Sequence, residues 1–173
     1  MHIMIDLETM GTRPNAPIVA IGAVAFMASG IVTEFYRNVD LKTSVAGGGV
    51  IDPSTLMWWL KQDAPAREAL TDEEGVAITY ALDDLSKFLA FGIDGVWGNG
   101  ASFDNVILSE TYIRAGMQCP WPFWKDKCYR TVKGMYPDVA LERSGTHHNA
   151  LDDARTQAEH LIAINNAAGG IIL

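Results

Sequence analysis

The sequence predicts one α/β domain built on a mixed sheet, and three patterns carry that expectation. Apolar and polar residues alternate in "IMIDLE" (3–8), as in a strand whose two faces meet different surroundings. A continuous apolar run, "IVAIGAVAF" (18–26), reads as a fully buried strand. From residue 52 onward, stretches of helical periodicity alternate with short apolar segments, so strands come first and mixed strand and helix follow.

In the first strand Ile3, Ile5 and Leu7 point one way, and Met4, Asp6 and Glu8 the other. A turn-rich loop, "GTRPNAP", leads into the buried strand, and "MASG" makes a hairpin to a partly exposed strand, "IVTEFYRNV" (31–39). "VAGGG" (45–49) is expected to be a flexible connector; it lacks the Gly-Lys-Ser/Thr that a phosphate-cradling loop needs. "DPSTLMWWLKQ" starts a helix, with Asp52 as N-cap and Pro53 at the first helical position. Trp58 and Trp59 lie about 100° apart on that helix, so both cannot face one core stripe. One is expected in the core, leaving the other as a stacking platform or a dimer contact.

"AITYALDDLSKFLAF" (77–91) is helix-periodic, and "GVWGNG" (95–100) is a short strand ending in glycine. "SFDNVILSETYIRAG" reads as a helix capped by Ser102 and closed at Gly116. "CPWPFWKDK", expected as a packed loop, precedes a short strand at Cys128 and a helix to about Tyr136. "NALDDARTQAEHLIAINNA" is the last helix, with Asn149 as N-cap. No repeat or linker is visible, so residues 1–173 are expected to form one domain.

Apolar residues make up 49% of the 173 and charged residues 20%, a mixture that supports a real core. No apolar run approaches the roughly 18–20 residues that span a bilayer, and the N-terminus shows no signal pattern. A cytoplasmic protein with no membrane attachment is expected, with Cys119 and Cys128 as reduced thiols. The net charge of −8 disfavours a grip on nucleic acid through a basic surface. It leaves room for an enzyme whose acidic site is neutralised by divalent cations.

The acidic residues that need explaining are Asp6 and Glu8, one residue apart in a buried strand; Asp104, in the first turn of its helix; and "HHNALDDA" (147–154). Same-face strand neighbours sit about 6.6 Å apart, a spacing that suits one metal or flanks two. Carboxylates without cysteine suit hard cations such as Mg²⁺ or Mn²⁺. A pair of such ions about 3.5–4 Å apart clamps the attacking and leaving oxygens of a phosphodiester, and a histidine can take the proton of the attacking water.

"DLETMGT", "WGNGASFD" and "HHNALDDA" resemble, in order, the three exonuclease motifs of the DEDDh superfamily. That group includes RNase T, oligoribonuclease and polymerase proofreading subunits. "MIDLETMGTRPNAPIVAIGAVAF" is most similar to the phage and bacterial RNase T-like branch, which also includes exonuclease VIII-like proteins. The resemblance runs from residue 3 to about residue 160. It implies an RNase H-like fold, a mixed central sheet flanked by helices. It implies that Asp6, Glu8, Asp104 and Asp153 hold two Mg²⁺ or Mn²⁺ ions, and that His148 is the general base. By analogy Asp6 bridges both ions, Glu8 and Asp153 complete one site, and Asp104 supports the other.

The last motif has histidine five residues before aspartate, which fits His148 with Asp153 and equally His147 with Asp152. The family match to "HNALDDA" selects His148. The final helix has an apolar stripe of Leu151, Ala154, Ala158, Leu161 and Ile162. Asp152 shares one flank with Arg155, Thr156 and Glu159, which looks like solvent; Asp153 shares the other with Gln157, His160 and Ile164. His147 and His160 are expected to be structural. Thr9 and Met10 stand where the family touches the terminal nucleotide, although for Met10 simple packing explains the residue equally well. Phe103 is open to base stacking or to core packing.

The expected activity is metal-dependent 3′→5′ hydrolysis of single-stranded RNA or DNA from its 3′ end, releasing nucleoside 5′-monophosphates. Homodimerisation follows from the resemblance alone. The competing expectation is a catalytically silent nucleic-acid-binding or protein-interaction module on the same fold. All five catalytic positions are filled, which favours the enzyme.

Overall fold

The computed structural model describes residues 1–173 except 71–74, Ser144 and His147; the expectation for His147 therefore lies outside the described residues. Five strands form one sheet: β1 (His2–Thr9), β2 (Ile18–Met27), β3 (Gly30–Asn38), β4 (Gly95–Gly98) and β5 (Asp126–Cys128). Their order is β3-β2-β1-β4-β5. The β1–β2–β3 meander is antiparallel, whereas β4 runs parallel to β1 and β5 parallel to β4. Seven helices, α1 (Leu41–Ala46), α2 (Pro53–Trp59), α3 (Ala64–Leu70), α4 (Ile78–Phe88), α5 (Asp104–Arg114), α6 (Tyr129–Met135) and α7 (Ala150–Ala167), surround it among the described residues.

The alternation in β1 sorts the molecule into layers. Ile3, Ile5 and Leu7 join Ala23 and Ala25 against Leu82 and Leu85 of α4 and Leu108 and Tyr112 of α5. Met4 faces the other way and joins Val24, Phe26 and Trp97 against Tyr129, Ala154, Ala158 and Leu161. Asp6 and Glu8 share the Met4 face, so they look toward α7. Opposite them in β2 stand Gly22 and Ala20, small residues that let α7 come close. A Cβ on Gly22 would lie 2.2 Å from the Ala150 carbonyl carbon, inside the first turn of α7. Gly22→Ala is therefore expected to lever α7 off the sheet. A cost of about 1–3 kcal/mol is usual for overpacking, and backbone contact puts this case at the upper end or beyond. Thermal unfolding checks it, and an unchanged midpoint with unchanged activity would refute the close approach.

Most element starts follow the expected chemistry. Asp52 caps α2 by accepting from Ser54 N–H, with Pro53 first in the helix. Asn149 caps α7 by accepting from the N–H groups of Leu151 and Asp152. Gly116 follows the end of α5 with φ +67°, the left-handed conformation that closes helices.

Four details differ. The connector expected at 45–49 begins inside α1, a six-residue helix capped by Asp40 and too short to show a periodicity. Helix α3 was likewise not anticipated; Asp63 accepts from Ala66 N–H at its start. Ser102 does not cap α5, because a turn closed by Phe103 N–H to the Gly100 carbonyl carries the chain one residue further, placing Phe103 at the cap position. The 120–124 loop packs only in part: Trp121 is buried and donates to Asp126, while Phe123 and Trp124 are exposed. Both cysteines are unpaired. No helix among the described residues is long and apolar enough to cross a membrane.

Candidate active site

A cleft of about 630 Å³ opens where β1 and β4 end, between α2, α6 and the start of α7. Asp6 and Glu8 enter it from β1, Asp104 from the first turn of α5, and His148 and Asp153 from the turn and first helical turn that begin α7. Of the residues expected at the site, Thr9 and Phe103 also line it.

Each carboxylate is held by a specific partner. Asp104 is buried, and its Oδ1 accepts the Leu7 N–H at 3.2 Å, tying α5 to β1. Gly98 makes this possible, since a Cβ there would stand 2.4 Å from Asn105 Oδ1 and 3.0 Å from Asp104 Cβ. Asp6 Oδ1 accepts from Gln157 Nε2 at 2.7 Å. Asp153 Oδ1 accepts from Arg143 at 2.8 Å, and its Oδ2 accepts the His148 backbone N–H at 3.0 Å. Gln157 and Arg143 were not foreseen as functional. The signal for Gln157 was its place four residues after Asp153 on one helix face; Arg143 sits in a loop with no periodicity to mark it.

The two aspartates that start α7 point apart, although Thr156, read on the solvent-like flank with Asp152, is buried and lines the cleft. Asp152 turns outward, accepting from Thr146 N–H and pairing with Arg155, which is clamped to Glu34 of β3. Asp153 turns into the cleft. His160 is buried away from it, donating from Nε2 to the Val139 carbonyl (2.9 Å) and accepting the Tyr129 hydroxyl at Nδ1 (2.7 Å).

His148 has φ +62°, the left-handed conformation that costs a non-glycine residue about 1–2 kcal/mol. Its ring packs edge-to-face against Trp58 at 5.0 Å and Trp59 at 6.0 Å. Trp59 is the core member of that pair and donates its indole N–H to the Thr9 carbonyl, while Trp58 is 43% exposed. Met10 does not reach the cleft: it packs with Val19, Trp59 and Ala66, so packing accounts for this side chain and the wedge role loses its geometry. Phe103 rests against the core and has one side on the cleft.

The electrostatics of the cluster are unfavourable for the protein by itself. Burial, then the charges of Asp104, Glu8 and Asp153, raise Asp6 well above the usual carboxylate range. Burial and the Asp153 and Asp104 charges push Glu8 up to about 8. Burial pushes Asp104 up to about 7 against the opposing pull of backbone N–H groups. Oxygen-rich, mutually repelling and partly desolvated, this donor set fits a hard divalent cation. Glu8, His148 and Asp153 bring ligand atoms within 4.8 Å of one another.

A pH dependence follows. The folded state holds protons that the unfolded chain releases near its ordinary carboxylate values, so cation-free stability falls as pH rises from about 4.5 to about 8. A cation replaces those protons, so the rise in Tm produced by Mn²⁺ over EDTA should grow across the same window. A metal-induced shift that shrinks as pH rises would contradict this account.

A family model for the 3′-5′ exoribonuclease Rv2179c-like domain matches residues 1–165. The chain belongs to the Rv2179c-like 3′-5′ exoribonuclease family. As a Rv2179c-like protein it is a nuclease, a hydrolase of phosphodiester bonds. It is 27% identical over 157 residues to the exodeoxyribonuclease of Enterobacteria phage T4, covering 74% of this chain and 68% of the phage protein. Exonuclease X in complex with 5′ overhanging duplex DNA superposes with a TM-score of 0.62 at 21% identity, over 98% of this chain and 93% of the other. The nuclease domain of 3′hExo, a DEDDh family member bound to rAMP, gives a TM-score of 0.66 at 13% identity, over 98% and 93%. Pop2p of S. pombe, with Mg²⁺ and Mn²⁺ bound, gives 0.66 at 13% identity, over 98% and 84%. This Rv2179c-like chain thus has the RNase H-like architecture, a mixed five-stranded sheet flanked by helices.

Proposed function

We propose that this protein removes nucleoside 5′-monophosphates one at a time from the 3′ end of single-stranded RNA or DNA, using two Mg²⁺ or Mn²⁺ ions. The observation that carries the reading is the convergence of Asp6, Glu8, Asp104, Asp153 and His148 on one cleft from three separate parts of the chain. The four carboxylates would hold the ions, with Asp6 shared. When bound, such ions polarise the phosphodiester and neutralise charge that develops on its oxygens. Gln157 fixes the rotamer of Asp6, and the backbone N–H of His148 fixes that of Asp153. His148, held edge-on against two indoles, takes the proton of the attacking water at a ring nitrogen. Phe103 and the half-open Trp58 offer the terminal nucleoside two apolar faces, beside Thr9, whose hydroxyl donates to the Gly11 carbonyl and leaves an oxygen lone pair to accept.

Related proteins support both sugar classes: the family is described as exoribonucleolytic, and the phage T4 relative as an exodeoxyribonuclease. A homodimer is proposed on the family resemblance. The test is end-labelled RNA and DNA of equal sequence, each as a free strand, a strand with a blocked 3′ end, and a circle, with Mg²⁺, Mn²⁺ or EDTA. Hydrolysis should occur on the free strand only and stop in EDTA. Cleavage of the circle would make the enzyme an endonuclease, and undiminished activity in excess EDTA would sink the metal reading. A protein inert on every substrate with either metal would match the silent-module alternative.

A further inference from the structure

Several cations of this acidic chain are paired with carboxylates. Arg37 pairs with Asp84, Lys87 with Asp83 and Asp84, Arg143 with Asp153, and Arg155 with Glu34 and Asp152. Two cations outside those pairs lie together on α6. Arg130 and Lys133 are both exposed, and among the described residues neither side chain has an ion pair or a hydrogen bond. They are three residues apart, so they share one helix face. With Asn99 they line the cleft, and the same three residues line a second groove of about 560 Å³ that continues past Tyr136 and Pro137. The two cations therefore stand on the wall that joins the two spaces.

We infer that this second groove carries the nucleotides on the 5′ side of the scissile bond, with their phosphates on Arg130 and Lys133. The inference rests on the 3′→5′ reading above. Polarity then decides the assignment. A terminal nucleoside that leaves as a monophosphate ends in a free 3′-hydroxyl, so nothing beyond the scissile phosphate needs a cation on its side. The Trp58 side of the cleft, with Thr9, Thr12, Ser54 and Thr55, offers hydroxyls and aromatic surface and no cation beyond the carboxylate cluster. The 5′ side brings one negative charge per nucleotide, and the α6 wall is where two exposed cations line both the cleft and the second groove, Arg130 also lying near enough to Asp104 to favour its charged form. In a protein of net charge −8 these two side chains supply local attraction that the overall field opposes.

The experiment compares the protein with Lys133→Gln and Lys133→Glu. Affinity for a labelled single-stranded decamer with a blocked 3′ end is measured by fluorescence anisotropy across a KCl series, and KM is measured for a dinucleotide and an unblocked decamer. For single strands the slope of log K against log salt is about −0.7 per phosphate neutralised. Lys133→Gln should make the slope shallower by about 0.7 and shrink the KM advantage of the decamer over the dinucleotide; Lys133→Glu should shrink it further. Wild-type salt slope and wild-type length dependence in both variants would overturn the inference. Failure of the unsubstituted protein to hydrolyse either substrate would instead refute the exonuclease reading, and the anisotropy slopes would still report on the groove.

Discussion

Asp6→Asn is expected to reduce turnover by about 10³-fold or more, the largest effect of any carboxylate change here. On the proposed two-ion reading Asp6 would be shared by both ions, and metal stabilisation of the transition state is worth several kcal/mol, at about 1.4 kcal/mol per tenfold. Asn keeps the Oδ1 that accepts the Gln157 amide at 2.7 Å, so the side chain stays in place and the charge alone is lost. Asp6 also sits among Asp104, Glu8 and Asp153, whose charges oppose its ionisation. In EDTA at about pH 8, Asp6→Asn should therefore raise Tm while abolishing activity in metal. That opposite movement separates a functional carboxylate from a structural one. If Asp104→Asn damages turnover more at saturating metal, the bridge belongs to Asp104.

His148→Ala should lower kcat by roughly 10²–10⁴, the range for loss of a general base. The Mn²⁺-dependent rise in Tm should survive, because four carboxylates remain to hold the ions. Loss of that rise would make His148 a metal ligand, a role its nearness to Glu8 and Asp153 also allows geometrically. His147→Ala should cost far less than His148→Ala, and the reverse ranking would move the register of the last motif by one residue.

The legible part of the site was the part written in short-range spacing. Asp6 and Glu8 announce themselves because two charges in a buried strand need a partner. Asp152 and Asp153 could be told apart because they fall on opposite flanks of one apolar stripe, and the structure turns the first toward Arg155 and the second into the cleft. Trp58 and Trp59 could be split into one core and one open residue by the helical angle, without knowing which. Met10 shows the limit of the same reasoning. Its neighbours Val19, Trp59 and Ala66 come from three other segments, so its packing was invisible in the chain around it.

Sequence alone therefore determined the strand and helix identities with strong periodicity, the caps at Asp52 and Asn149, and the acidic residues that call for a cation. These depend on local geometry, where each residue constrains its near neighbours. The tertiary structure decided what depends on contacts between distant segments. Arg143 meets Asp153 from a loop, Gln157 reaches Asp6 across the α7–sheet interface, and Gly22 matters because Ala150 lies where its Cβ would be. Asp6, Glu8 and Asp104 hold on to protons only when folding excludes water from them and brings the acidic charges together, since both desolvation and Coulomb repulsion depend on distances that the linear chain does not contain.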